Sequence, residues 1–209
     1  MMQFDLFDGT KNKILDAKSY DEFKTSLAAS NCTQCALSAA RKTIVVDRGN
    51  PKAKVLMIGE APGENEDIQG KAFVGRGGQL LDRLLLEFGF DTNRDSLIAN
   101  VVKCRPPDNR APKQEEADAC IGFLKKQIAL VNPKIILLLG ATALKYIVKD
   151  KVEFSMREKV GKFFTHPDFQ GVQLMVLYHP AYILRDPRKK PLMMEHLTIF
   201  KTYWNSIQR

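Results

Sequence analysis

Four long apolar runs punctuate the chain: Val55–Ile58 (VLMI), Leu97–Val102 (LIANVV), Lys134–Leu139 (KIILLL) and Val172–Tyr178 (VQLMVLY). They are continuous rather than alternating, the pattern of strands buried on both faces. A shorter strand-like run, Thr43–Val46, precedes them. The intervening segments change period. Leu80, Leu81, Leu84, Leu85 and Phe88 recur at helical spacing behind Gly77-Gly78, and Gln114 to Val131 reads as one helix. Another helix opens at Gly140-Ala-Thr-Ala, and a last one runs from about Leu192 to Ile207. Ser19-Tyr-Asp-Glu22 has the form of a capping box, with Phe23 and Leu27 on one helix face. Residues 1–18 show no lasting periodicity and are expected to be a flexible segment outside the core. Strands alternating with helices require right-handed crossovers. The expected fold is therefore α/β, a three-layer sandwich with a central, mostly parallel four-stranded sheet flanked by helices, in one domain spanning 19–209.

Open α/β sheets place ligands at the carboxyl ends of their strands. Here those ends are the tight turn Gly59-Glu60-Ala61-Pro62-Gly63, Asn100 before the proline-rich loop to Pro112, Gly140, and His179. All are expected to face one cleft. Phe73, a lone aromatic residue after the first long strand, belongs to the same region.

Composition narrows the partner. Lys and Arg exceed Asp and Glu by 32 − 24 = 8, with pI ≈ 9.3, which favours an anionic partner and nucleic acid before membrane. No apolar run is long enough to span a bilayer and no secretory pattern is visible, so a cytoplasmic, nucleoid-associated protein is expected, as a monomer. The four cysteines, Cys32, Cys35, Cys104 and Cys120, are then read as metal ligands rather than disulfides. Four thiolates suit a tetrahedral zinc or an iron–sulfur cluster, and the spacing matches no common zinc ribbon.

Four segments sharpen this picture: GEAPGENED at 59–67, GKAFVGRGG at 70–78, NVVKCRPP at 100–107 and HPAYILR at 179–185. Together with the cysteine layout they resemble the motif set of the family 4 uracil-DNA glycosylases, over most of the chain from Cys32 onward. The resemblance implies a hydrolase that cuts the N-glycosidic bond of a flipped-out deoxyuridine in DNA, leaving an abasic site for base-excision repair. It also implies a 4Fe–4S cluster on the four cysteines, structural rather than catalytic. Phe73 would stack on uracil, Asn100 would pair with its N3–H and O4, and Gly59, Glu60 and Ala61 would line the pocket. His179 would stabilise negative charge on the departing base. The best-known uracil-excising family carries Gly-Gln-Asp-Pro-Tyr in the first motif. Here Ala61 stands at its water-activating Asp and Gly63 at its thymine-excluding Tyr, leaving Glu60 as the catalytic carboxylate and Glu64 or Glu66 for exclusion. Tyr182, Ile183, Leu184 and Arg185 would enter the minor groove. Lys103, Arg105, Arg110 and Arg188–Lys190 are further phosphate-binding candidates, and His166 and His196 read as structural or solvent-facing.

Two other classes compete at this level: a uracil-DNA binding protein that traps without turnover, and a zinc-stabilised hydrolase of small nucleotides. A related group becomes covalently attached to the abasic sugar through a histidine soon after the second strand, and here no histidine lies between Asn100 and His166. At the N-terminus, Gln3-Phe4-Asp5-Leu6-Phe7 resembles the pentapeptide by which bacterial repair proteins dock on the sliding clamp.

Overall fold

The computed structural model describes residues 6–148 and 156–208, with side chains from Gly9 onward. Ten helices and six strands occur among them. In chain order they are α1 (Leu6–Leu15), α2 (Tyr20–Ala28), β1 (Arg48–Gly49), β2 (Val55–Gly59), α3 (Glu64–Gln69), α4 (Arg76–Leu86), α5 (Thr92–Asp95), β3 (Ser96–Asn100), α6 (Gln114–Val131), β4 (Ile135–Leu139), α7 (Ala141–Ile147), α8 (Met156–Lys159), β5 (Phe163–Phe164), β6 (Gln173–Leu177), α9 (Pro180–Arg185) and α10 (Lys190–Ser206).

The sheet order is β1-β3-β2-β4-β6-β5. The central four strands are parallel, as expected from their unbroken apolar runs. The two-residue edge strands β1 and β5 are antiparallel additions, so the sheet has six strands rather than four. Thr43–Val46 forms no strand; it runs extended beside the sheet, with Val45 N–H bonded to the Lys103 carbonyl at 2.8 Å.

Alternate residues of the central strands build two cores. Leu56, Ile58, Leu97, Leu138 and Val176 pack with Ala117 and Leu124 of α6 and Leu144 of α7. Met57, Ile98, Leu137 and Met175 pack with Leu81, Leu84 and Leu85 of α4 and with Met193, Leu197 and Phe200 of α10. This is the three-layer arrangement. Its parallel strands deliver Gly59, Asn100, Leu139 and Leu177 to one edge, with Gly59 in register with Asn100.

The N-terminal region departs from expectation. Residues 6–15 form helix α1, and Ile14 and Ala17 are buried with Phe23, Leu27, Val46 and Phe123 in a third, smaller core. Their apolar positions are too few to make a periodic signal, but α6 and α2 offer them a partner. Ser19 does cap α2, accepting from Glu22 N–H, while the Glu22 carboxylate reaches Lys18 N–H rather than Ser19. Of the Gln3–Phe7 peptide, Gln3, Phe4 and Asp5, and the side chains of Leu6 and Phe7, lie outside the described residues.

Candidate base-binding site and cysteine pocket

A cleft of about 740 Å³ opens at the carboxyl edge of the sheet. Glu60, Ala61, Phe73, Gly140 and His179 line it, together with the first turn of α4 and Tyr182 and Arg185 of α9. Asn100 forms no part of the open wall. It lies beneath, 1% exposed, beside Gly59.

Gly59, expected to line the pocket, is likewise buried and absent from the open wall. A Cβ at this position would stand 2.5 Å from the Phe73 ring and 2.6 Å from Asn100 Oδ1, so the first motif begins with glycine because two neighbouring side chains occupy that volume. Both amide atoms of Asn100, Oδ1 and Nδ2, are buried with no hydrogen-bond partner among the described residues. Leaving such a group unsatisfied costs about 1–3 kcal/mol, so the bare Asn100 amide calls for an explanation.

Phe73 has a left-handed backbone, φ 56°, unusual for a bulky residue. Two contacts hold it. The Glu66 carboxylate accepts from Gly75 N–H at 2.6 Å and from Gly63 N–H at 3.1 Å, clamping the loop on either side of the cleft. Gly78 packs on the Phe73 main chain so closely that a Cβ there would lie 1.8 Å from its carbonyl oxygen. Gly77 has no such constraint; a Cβ there would meet Ala181 N at an ordinary 3.6 Å. The Phe73 ring packs into the core and faces His179, with ring centroids 5.7 Å apart.

His179 is half-buried at the start of α9. Its Nδ1 accepts a hydrogen bond from Ala181 N–H at 3.2 Å, so in the neutral ring the proton sits on Nε2. Burial depresses its pKa, offset in part by Glu60 and assisted by Arg185, which keeps the ring neutral near pH 7. Glu60 accepts a hydrogen bond from the Thr142 hydroxyl at the start of α7. Thr142 escaped the sequence reading because one hydroxyl in a helix start has no distinguishing pattern.

Several expectations need correcting. Ile183 is 3% exposed and packs in the core, because α9 is a helix rather than a loop and turns this face inward. Lys103 is 1% exposed and therefore no phosphate contact. Arg110 is held in a bidentate pair by Glu116 and Arg188 pairs with Asp186. Arg105 bonds Asn109 and lies 3.7 Å from Glu64, which is exposed, whereas Glu66 is buried with both oxygens engaged. His166 and His196 are both buried, so neither faces solvent. His166 Nδ1 accepts from Asp168 N–H, and the His196 ring stacks on Tyr178.

The four cysteines are free thiols lining a single small apolar pocket with Leu27, Arg41, Ile44 and Phe123, between α2, the bend after β3, and α6. Burial pushes the thiol of Cys104 up to about 11 and that of Cys120 to about 12, while the Arg41 guanidinium beside Cys104, 3.7 Å from its Sγ, opposes this. Among the described residues no three His, Cys, Asp or Glu side chains converge as a single metal ion requires.

The doubly wound sheet thus gathers an aromatic ring, an imidazole and an amide unpaired among the described residues at one edge. Residues 46–208 match the uracil DNA glycosylase superfamily, and the chain belongs to it. It is 44% identical to the type-4 uracil-DNA glycosylase of Saccharolobus solfataricus over 78% of this chain and 77% of that protein. The Thermotoga maritima type-4 enzyme is 44% identical over 74% and 79%, and that of Archaeoglobus fulgidus 37% identical over 76% and 80%.

Proposed function

We infer that this chain is a uracil-DNA glycosylase, a hydrolase that releases uracil from DNA and leaves an abasic site. The observation that carries the reading is the buried Asn100 amide with both polar atoms unpaired beside Gly59 and the Phe73 ring. An amide presents one acceptor and one donor side by side, matching uracil N3–H and O4; cytosine offers the opposite pattern at these positions. Phe73 supplies the stacking face for a base extruded from the helix. As the glycosidic bond breaks, its electrons move onto the uracil ring, and the His179 Nε2–H is a neutral donor suited to the charge developing at O2. Glu60 lines the cleft and accepts from the Thr142 hydroxyl, a carboxylate suited to orient the water that completes hydrolysis at the sugar. Ala61 has no side chain able to do so. Arg185 and Tyr182, at the mouth, suit contacts to the flanking strand, with Leu184 beside them on α9.

The four cysteines suit a 4Fe–4S cluster: four sulfur donors line one small, almost wholly apolar pocket, which is the donor set such a cluster takes. When bound, the group supplies a cross-link between α2, the bend after β3, and α6, and no step of the excision runs through it. The residue pattern of Gln3–Phe7 supports docking on a sliding clamp, which raises local concentration on DNA without altering the chemistry.

The test is multiple-turnover excision from oligonucleotides carrying a single uracil, thymine or cytosine, alongside the visible spectrum of the protein as isolated. Catalytic release from the uracil strand alone, by a protein absorbing in the iron–sulfur charge-transfer region, is expected. Stoichiometric capture without release would favour a trapping protein, and zinc without visible absorption would overturn the cluster while leaving the excision reading intact.

A further inference from the structure

Lys103 takes no part in that chemistry, yet it lies between the base-reading edge and the cysteine pocket. Its ammonium is buried and donates to the main-chain carbonyl of Asn100 at 2.8 Å and to Gln127 Oε1. Gln127, itself fully buried, donates onward to the Val46 carbonyl at 3.2 Å and the Tyr20 hydroxyl at 2.9 Å. Tyr20 donates to Asp47 at 2.8 Å, and Lys24 pairs with the other Asp47 oxygen at 2.7 Å. Lys103 also lines the cysteine pocket, with Cys104 and Cys120 beside its ammonium.

Asn100 is the last residue of β3, and the chain bends through 101–104 immediately after it. The Lys103 ammonium closes that bend by holding the Asn100 carbonyl. On the strand side, Val101 N–H bonds the Gly59 carbonyl at 3.0 Å. Among the described residues the Asn100 amide has no partner of its own, so its direction is set by this backbone and by packing beside Gly59. A side chain with no hydrogen bond of its own is only as well aimed as the backbone beneath it.

We propose that Lys103 is a positioning residue for base recognition: by gripping the Asn100 carbonyl from within the cysteine pocket, it fixes the direction of the Asn100 amide and joins the two sites into one mechanical unit. This rests on Asn100 reading the base.

Lys103→Met keeps an unbranched apolar stem, one atom shorter, and removes the donors. In the full chain, four quantities are compared with wild type: single-turnover uracil excision, affinity for an oligonucleotide bearing an abasic-site analogue, visible absorption per chain, and melting temperature. Excision is expected to fall about tenfold, the worth of one well-placed hydrogen bond, while abasic-DNA affinity and absorption stay within about twofold. Unchanged excision, or a parallel loss in all four, overturns the proposal. Should Lys103→Met not accumulate as folded protein, Gln127→Leu frees the ammonium from its other anchor and is judged by the same split, with an expected loss of about threefold. Asn100→Ala runs alongside. Unchanged excision there overturns the base-reading role itself; excision lost in Asn100→Ala but normal in Lys103→Met overturns only the positioning role.

Discussion

At the scale of single residues, base recognition in the proposed function falls to groups whose partners are absent among the described residues or already committed. Asn100 is buried with both amide atoms unpaired among the described residues, and in the proposed function uracil supplies both partners. Asn100→Asp is expected to lower uracil excision by at least about tenfold, because an ionised carboxylate offers acceptors alone and cannot donate to O4; a single-turnover assay checks it. His179 is committed through Nδ1 to Ala181 N–H and held neutral by burial, so the donor it offers the base in the proposed function is an uncharged Nε2–H. Uracil excision should therefore not decline as pH rises from about 6.5 to about 8.5. A decline across that interval would identify the imidazolium as the active form. The same depressed pKa, shared by His196 for the same reason, sets the sign for stability. The unfolded chain binds more protons below its ordinary histidine value, so the fold is steadiest above about pH 6.5 and loses stability as pH falls below it. Thermal melts between about pH 5 and about pH 8 read this directly.

Among elements, the site depends on how the α4 start is joined to the β2 turn. Glu66 bridges Gly63 and Gly75, and Gly78 presses on Phe73, so the loop between them carries its aromatic ring in a backbone conformation it would not adopt alone. Gly78→Ala is expected to destabilise by more than about 2 kcal/mol and to lose excision, measured by denaturant melts and single-turnover release. Gly77→Ala, whose added Cβ would meet Ala181 N only at an ordinary contact distance, is the matched control and should be nearly neutral for stability. This joint also shows what a sequence can and cannot reveal. The four central strands were legible because each is an unbroken apolar run, and the placing of Asn100 and His179 at the sheet's carboxyl edge because each follows such a run; Phe73, between α3 and α4, stood out only through its motif. Edge strands β1 and β5 were not, since two residues carry no period. Helix α9 was hidden by its Pro180 start and its resemblance to a DNA-probing loop, and with it the inward turn of Ile183. Lys103 reads as a phosphate ligand in sequence, because nothing local announces that Gln127 and the Asn100 carbonyl await it.

The whole molecule couples a parallel-sheet body to an N-terminal pair of helices through the pocket of four thiols. Ile14 and Ala17 bury against Phe23, Leu27 and Phe123, so the region before Ser19 serves the fold as well as any docking role. Deleting residues 1–5 should abolish clamp capture in a pull-down and leave excision from short oligonucleotides unchanged. Deleting residues 1–18 should cost about 2–5 kcal/mol, as loss of one large buried aliphatic residue does, seen as a lower melting temperature. The central claim is that the cleft at the sheet's carboxyl edge excises uracil through Phe73, Asn100 and His179. It is tested most directly by single-turnover uracil release from a one-uracil duplex by wild type and by Phe73→Ala, Asn100→Ala and His179→Ala, all at matched folding. The account predicts complete release by wild type, with His179→Ala slower by about 10²–10³-fold and the other two by at least about tenfold. Wild-type rates in all three variants would contradict it.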